Sequence, residues 1–296
     1  MKTVDFKLRI TNYELRIFPF ICGQIIFFCF TSFAQSKIAV IAPEKNPLNQ
    51  IFIEKLVTAL SADFKVLDDS LSEAAFFSAE HKTPFNLSTA EAKNIGAAIG
   101  CDYFLLIKAE NLTRYSFEKK EYRESYAAVY AVSSRTGRLV LWKLIKGEDQ
   151  KSDEAEQKLF DSIKDLSAEI SNELKIVGKN ESNEKPKQNL EELPAENSPE
   201  AKNFRPPLPF RQIKPPYTRI AYLYSIEATV DIEVDVDETG KILQTEIVRW
   251  AGFGLDESVE KNVRRMNWKA ADRNGKNLPM RVLLRYNFKK VEPEEQ

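Results

Sequence analysis

Few side chains in this sequence could do chemistry, and their spacing decides what each can be. The one histidine is His81, in the stretch Ser78-Ala79-Glu80-His81-Lys82. An imidazole works as a general base only beside a group that orients it. This polar stretch offers none and reads as a surface loop. Cys101 is the one cysteine outside the N-terminal apolar segment that holds Cys22 and Cys29. A single thiol closes no internal disulfide and builds no metal cage. Asp68-Asp69 and Asp102 are the carboxylates that could hold a hard cation, which wants several converging oxygens. Asp102 ends a turn before a strand, and Asp68-Asp69 stand at a strand end. Short polar side chains cap turns at such places, and that role fits them better. The chain has no Gly-rich phosphate cradle, no Ser or Cys nucleophile elbow and no paired-carboxylate motif. The expectation is a protein that is not an enzyme and holds no cofactor and no metal.

The most informative stretch is the last one, Pro215 to Lys290. Val230, Ile232, Val234 and Val236 alternate with Thr229, Asp231, Glu233 and Asp235. Period two with one charged face is a half-buried strand. Asp237-Glu238-Thr239-Gly240 is a tight turn, and Ile242 to Val248 returns as the partner strand. Leu255, Val259, Val263 and Met266 recur at helical spacing and give a short amphipathic helix. Met280 to Phe288 alternates again as a third strand. Strand, strand, helix, strand makes a small α+β layer with a three-stranded antiparallel sheet.

That order of elements resembles the C-terminal domain of the TonB family, whose members transduce energy to outer-membrane transporters. The resemblance covers 215–290. It is carried by Pro215 and Tyr217, by Ala221, Glu227 and Val230, by Gly240, by Leu255-Asp256, and by Trp268 with Ala270. The chain departs from the family in two places. Ala228 stands where a Gly often precedes the first strand's Thr-Val, and Lys214-Pro215-Pro216-Tyr217-Thr218 replaces the usual Gln-Pro-x-Tyr-Pro. The resemblance implies recruitment of an extended peptide, such as a segment of an outer-membrane transporter, by strand addition. An exposed edge then supplies main-chain hydrogen bonds, and alternate side chains supply selectivity. The candidate partner-binding residues are Tyr217, Arg281, Leu283, Arg285 and Asn287, with the last four facing out from the final strand.

Composition sets the rest of the frame. The chain has 296 residues with 43 basic and 44 acidic side chains, which argues for two modest domains and against nucleic acid as a partner. Ile17 to Phe33 is almost wholly apolar and follows Lys2, Lys7, Arg9 and Arg16. Ser32-Phe33-Ala34 before Gln35 has the small residues of an export-signal cleavage site, so 1–34 reads as a signal peptide. The rival reading is an uncleaved inner-membrane anchor over 17–34, short for a span of about 20 residues. Cleavage predicts a periplasmic protein. Retention would let the chain engage an inner-membrane motor.

Between these ends, 37–177 reads as an α/β domain. Lys37 to Ala42 is a strand. Asn46 caps a helix that begins at Pro47, and Phe64 to Asp68 is a second strand. Ser70 to Phe77 is helical, Ser88-Thr89-Ala90-Glu91 is a capping box, and Gly100 ends the helix that it opens. Cys101 to Ile107 is a buried strand. Tyr122 to Ser133 and Leu139 to Leu144 form a hairpin, and Ser152 to Val177 is a closing helix. Its segments Lys37-Ile38-Ala39-Val40, Phe64 to Asp68 and Gly100 to Tyr103 resemble the periplasmic domains of TolB N-terminal and CsgG-like proteins. Gly178 to Pro216 then holds eight prolines in 39 residues. The segment up to Lys214 is expected as a disordered linker with a reach on the order of 100 Å in extended form, and 291–296 as a tail. The function expected is a TonB-family interaction protein of the cell envelope, monomer or dimer. The alternative is a soluble periplasmic scaffold that uses the same fold without energy coupling.

Overall fold

Near-continuous apolar runs at Ile38 to Ile41 and at Tyr103 to Ala109 make two strands buried on both faces, and the rest of the first domain grows on them. The computed structural model describes residues 35–117, 120–184, 190–191, 193–194 and 197–290. The expectations for the segment before Gln35, cleavage after Ala34 included, and for the 291–296 tail lie outside the described residues. Among the described residues, no helix is long and apolar enough to cross a membrane.

β1 (Lys37–Ile41) leads to α1 (Pro47–Leu60), where Asn46 caps the helix by accepting from the Asn49 amide at 2.8 Å. β2 (Lys65–Val66) is shorter than expected, and α2 (Asp69–Ser78) follows. Asp68 caps α2 by accepting from the Leu71 amide at 2.9 Å, the turn-capping role expected of it. α3 (Thr89–Ile99) opens with the full reciprocal capping box of Ser88 and Glu91. β3 (Tyr103–Arg114), β4 (Tyr122–Ser133) and β5 (Leu139–Asp149) complete a mixed sheet of order β2-β1-β3-β4-β5. β1 pairs in parallel with β2 and β3, and the rest is antiparallel. β3 runs well past Ile107, so β3 and β4 form a long hairpin in addition to the expected one. The single closing helix is two, α4 (Ser152–Asp161) and α5 (Ile163–Ser182), broken at Ser162.

Strand alternation splits the sheet's side chains between two cores. Ile38, Val40, Leu105, Ile107 and Val129 pack with Phe52, Leu56, Leu166 and Ile170 of α1 and α5. Ala39, Ile41, Phe104, Leu106, Tyr130 and Val132 face the other way, toward Phe76 of α2 and Ile95 of α3.

The C-terminal region adds β6 (Phe204–Arg205), β7 (Leu208–Pro209), α6 (Arg219–Leu223), β8 (Ala228–Val236), β9 (Ile242–Arg249), α7 (Leu255–Val263), β10 (Trp268–Lys269), β11 (Ala271–Arg273), β12 (Lys276–Leu278) and β13 (Met280–Phe288). Its main sheet has the order β13-β8-β9, antiparallel throughout, with Val230, Ile232 and Val234 buried beneath α7. The strand–strand–helix–strand expectation therefore holds.

The expected free linker does not. β6 pairs with β11, β7 pairs with β10, and Glu191 forms a parallel bridge with Met280. Phe204 and Leu208 reach strand partners through backbone hydrogen bonds that prolines at neighbouring positions leave intact. α5 also runs on to Ser182, into the expected linker.

The two domains also share a core. One cluster of buried side chains runs from Ile41, Phe104 and Tyr130 through Trp250 and Phe253 to Val230, Ile232 and Val234 of β8, and on to Val259 of α7. Trp250 is 1% exposed, packs with its ring centroid 5.7 Å from that of Tyr130, and donates from Nε1 to Gly137 O at 3.1 Å. The Phe253 and Trp142 ring centroids lie 4.7 Å apart. Gly252 has φ +70, and a Cβ there would overlap the Trp142 indole, so glycine is required both for the backbone and for the fit. Asn86 of the first domain clasps the second. Its side chain donates to Thr229 O and Trp250 O at 2.8 and 2.7 Å and accepts from the Thr229 amide at 2.9 Å.

Asp256, at the start of α7, accepts from the Ala251 and Gly252 amides at 2.9 and 2.8 Å and so holds the docking loop closed. Burial pushes its carboxyl up to about 7 against the pull of those two amides, and Glu257 adds to the rise.

Three outcomes follow from the junction. Urea unfolding of residues 35–296, followed by far-UV circular dichroism, is expected to show one transition. Trp250→Ala is expected to lower stability by about 3–5 kcal/mol and to separate the domains into two transitions. Between the ordinary value of 3.8 and about 7, the folded state keeps a proton on Asp256 that the unfolded chain has lost. Its contribution to stability therefore falls as pH rises through that window. Comparison of urea midpoints across the window is expected to show a flatter pH dependence for Asp256→Asn than for the parent chain.

Candidate functional site: an edge strand over a charged sheet face

β13 lies at the outside of its sheet, paired with β8 alone on one side. Asp231 and Asp235 occupy the same face of β8 four residues apart. Arg285 and Arg281 stand directly opposite them on β13. The two strands are antiparallel, so equal spacing on each brings both pairs into register.

Each pair is a two-pronged fork. Arg281 Nε and Nη2 donate to Asp235 Oδ1 and Oδ2 at 2.7 and 2.9 Å, and Arg285 makes the same two bonds to Asp231. Planar guanidinium matches planar carboxylate in this geometry. The hydrogen bonds and charge of Asp231 raise the Arg285 pKa above its ordinary value. Arg249 of β9 reaches Asp231 at 3.4 Å and Glu91 of α3 at 3.1 Å. Burial works against the Glu91 charge. The Ser88 amide and hydroxyl, together with Arg249, nonetheless hold its carboxyl below the usual range. Arg138 of the β4–β5 turn pairs with Glu246 of β9 at 2.9 Å. The charged face is thus tied to the first domain at two points.

This geometry corrects the expectation that Arg281 and Arg285 are free outward contacts. Both leave the sheet on the expected face, but their guanidinium groups are engaged with β8 because the opposed aspartates are nearly buried. Asn287 also bonds across the ladder, through Thr229 Oγ1 at 2.8 Å. Leu283, at 49% exposure, is the apolar member of the four; Arg285 and Asn287 are exposed as well, but their polar groups are engaged across the ladder. Tyr217 stacks on Phe288 with ring centroids 6.2 Å apart, and its hydroxyl donates to Ile226 O at 2.7 Å, with Ala221 O at 3.1 Å. It props the end of β13 and the entry to β8, with its phenol pushed up by burial.

The outer edge of β13 presents backbone. The Arg281 amide points away from β8 and donates to Glu191 O at 3.0 Å. Residues two apart on a strand point the same way. The amides and carbonyls of Leu283, Arg285 and Asn287 therefore face outward too, and no backbone partner meets them among the described residues. Leu284 and Tyr286 alternate with them, half-buried against the core. Among the described residues, Glu191 covers the first rung, at Arg281.

Other residues weighed for chemistry have structural partners. Asp102 accepts from the Lys37 amide at 2.8 Å. His81 donates from Nδ1 to Ala79 O at 2.9 Å and packs on Phe76. Cys101 is buried, and loss of solvent pushes its thiol up to about 11. Among the described residues, no three His, Cys, Asp or Glu side chains converge as metal ligands.

Two features of the site were missed from sequence, the buried forks and the Trp250 dock. The signal for the first was present, as the matched i, i+4 spacing of Asp231/Asp235 and Arg281/Arg285. The signal for the second is the glycine-flanked aromatic run Trp250-Ala251-Gly252-Phe253-Gly254.

Residues 213–289 match the family described as Gram-negative bacterial TonB protein C-terminal. No curated protein sequence matches the chain. Among solved structures, the hypothetical protein CT253 from Chlamydia trachomatis is similar at 15% identity, covering 48% of this chain and 99% of its own, with a TM-score of 0.30. Lipoprotein GNA1162 from Neisseria meningitidis is similar at 16% identity over 50% of this chain and 99% of its own, with a TM-score of 0.30. The Pseudomonas aeruginosa TonB C-terminal domain is similar at 18% identity over 36% of this chain and 100% of its own, with a TM-score of 0.27.

The forks differ in burial, and their removal is expected to differ in cost. Arg281→Ala leaves Asp235 nearly buried without its partner and is expected to cost about 3 kcal/mol. Arg285 is more exposed, and Asp231 keeps Arg249, so Arg285→Ala is expected to cost about 1 kcal/mol or less. Urea midpoints of the two variants check the order.

Proposed function

Given that the chain carries a TonB-family C-terminal domain, we propose that it is a cell-envelope interaction protein that binds an extended segment of another envelope protein by strand addition to β13. The observation that carries this reading is the open run of backbone at Leu283, Arg285 and Asn287. Three outward amides and three outward carbonyls in a row form a template for another strand. The forks behind them hold the template straight without competing for the incoming chain. A peptide from an outer-membrane transporter is the partner class that the family match favours.

The shared core favours a fixed receptor over the tip of a swinging arm. Energy transduction to a distant transporter asks for a domain carried on a long tether. Here the β6 and β7 segments are paired into the C-terminal sheets, and Trp250 is buried against the first domain. A scaffold that presents its edge from a rigid body is therefore the preferred form of the proposal. The first domain then serves as the mount.

Amide hydrogen exchange of residues 35–296, with and without peptides drawn from the N-terminal segments of outer-membrane transporters, tests the reading. Protection is expected at Leu283, Arg285 and Asn287. Arg285→Pro, which removes one outward amide, is expected to abolish it. Binding that leaves those three amides exchanging freely would overturn the proposal.

A further inference from the structure

The hairpin of β3 and β4 ends in an aromatic tip that the partner-binding edge does not use. Tyr115 is 72% exposed and Phe117 fully so. Exposed aromatics close together at the end of a hairpin are unfavourable in water unless something covers them.

A second exposed pair lies beside them. Arg114 closes β3 and donates from Nη1 to Leu223 O at 3.0 Å, while its guanidinium lies 4.9 Å over the Tyr224 ring. This contact brings the end of α6 against the hairpin. Tyr222 and Leu223 are there, at 44% and 48% exposure.

Cations rim the cluster. Lys290 Nζ stands 4.9 Å from the Tyr222 ring and donates to Ser225 Oγ at 3.2 Å. Lys289 adjoins Lys290, Lys120 follows Phe117 by three residues and Arg219 opens α6, and all three are exposed. Of the described carboxylates there, Glu121 is paired with Arg123 at 3.2 Å, Glu124 is buried against Arg114, Glu148 and Asp149 of β5 are paired with Lys146 and Lys158, and Glu227 is exposed. Positive charge is in excess.

We infer that this end of the molecule, the Tyr115–Phe117 tip together with the Tyr222–Leu223 end of α6, docks on an anionic lipid surface. Three observations select lipid over a protein groove. The cluster stands out into solvent, and the cavities beside α1 and beside Trp142 are lined by other side chains. Tyrosine, phenylalanine and lysine are the side chains that settle at a headgroup boundary, with rings in the interface and ammonium groups among the phosphates. The excess of cations complements anionic headgroups. The surface lies at the far end of β3 from Lys37, since β1 and β3 run parallel with Ile38 opposite Tyr103. It adjoins the end of β13 at Lys289 but uses none of that strand's outward amides, and it does not rest on the strand-addition reading.

Vesicle flotation tests it. Residues 35–296 hold both hydrophobic cores entire, so this fragment removes the apolar 17–33 segment from the measurement. The fragment is expected to float with equimolar phosphatidylcholine–phosphatidylglycerol vesicles and to stay behind with phosphatidylcholine alone. Tyr115→Ala with Phe117→Ala is expected to weaken partition by roughly tenfold, and Lys289→Ala with Lys290→Ala by a similar factor that vanishes at high salt. These residues are exposed, so unchanged circular dichroism melts confirm that folding is intact. Absence of flotation with the anionic vesicles, or flotation that the aromatic double variant leaves unchanged, overturns the inference. Crosslinking from position 117 to a protein without vesicle binding assigns the tip to a protein partner and overturns it as well.

Discussion

Burial of Trp250 against Tyr130 is the contact on which the arrangement of the two domains depends. A large indole taken out of water contributes several kcal/mol, and its Nε1 is satisfied by Gly137 O rather than left wanting. The loop that delivers it must turn sharply within five residues. It does so through Gly252 and Gly254, both in left-handed conformation, and through Asp256, whose carboxyl group gathers the two amides that the turn leaves without strand partners. Asn86 repeats the logic from the other side by satisfying three backbone groups at once. These bonds matter because each unpaired polar group in such a seam would cost about 1–3 kcal/mol, a large share of what the seam contributes.

With the seam closed, the C-terminal sheet becomes a fixed extension of the first domain. Its charged face is then held by ion pairs that cross between elements: Arg249 to Glu91 of α3, and Arg138 to Glu246 of β9. The forks of Arg281 and Arg285 serve the strand pairing itself. In the strand-addition proposal their effect is indirect. They keep β13 straight and in register, and the backbone of Leu283, Arg285 and Asn287 does the presenting. The aromatic tip is a separate device, placed by the length of β3 and β4 and buttressed by Arg114 against α6.

Much of the element order was readable from the chain. Strict alternation over Ala228 to Val236 and Met280 to Phe288 marked both strands at their observed ends, because each has one buried face and a one-residue slip would expose it. Ser88 and Glu91 marked a helix start, because a capping box is a local interaction. Where reading fell short, the deciding interaction was between distant residues. The proline-rich stretch has few large apolar groups and reads as a free tether, yet Phe204 to Pro209 is held by backbone bonds to β10 and β11, which composition does not report. Arg281 and Arg285 read as outward contacts because alternation tells which face a side chain takes and not what stands opposite it.

Local sequence therefore determined the strands, the capped helices and the TonB-like order of the last eighty or so residues, since each rests on periodicity or on groups a few positions apart. Tertiary structure alone decided that the two domains share one core, that the arginines are engaged within the sheet, and that the outward backbone of Leu283, Arg285 and Asn287 meets no strand among the described residues. The physical reason is the same in each case. Which groups are left unpaired is a property of the assembled surface, and it is settled by partners that lie tens of residues or more away along the chain.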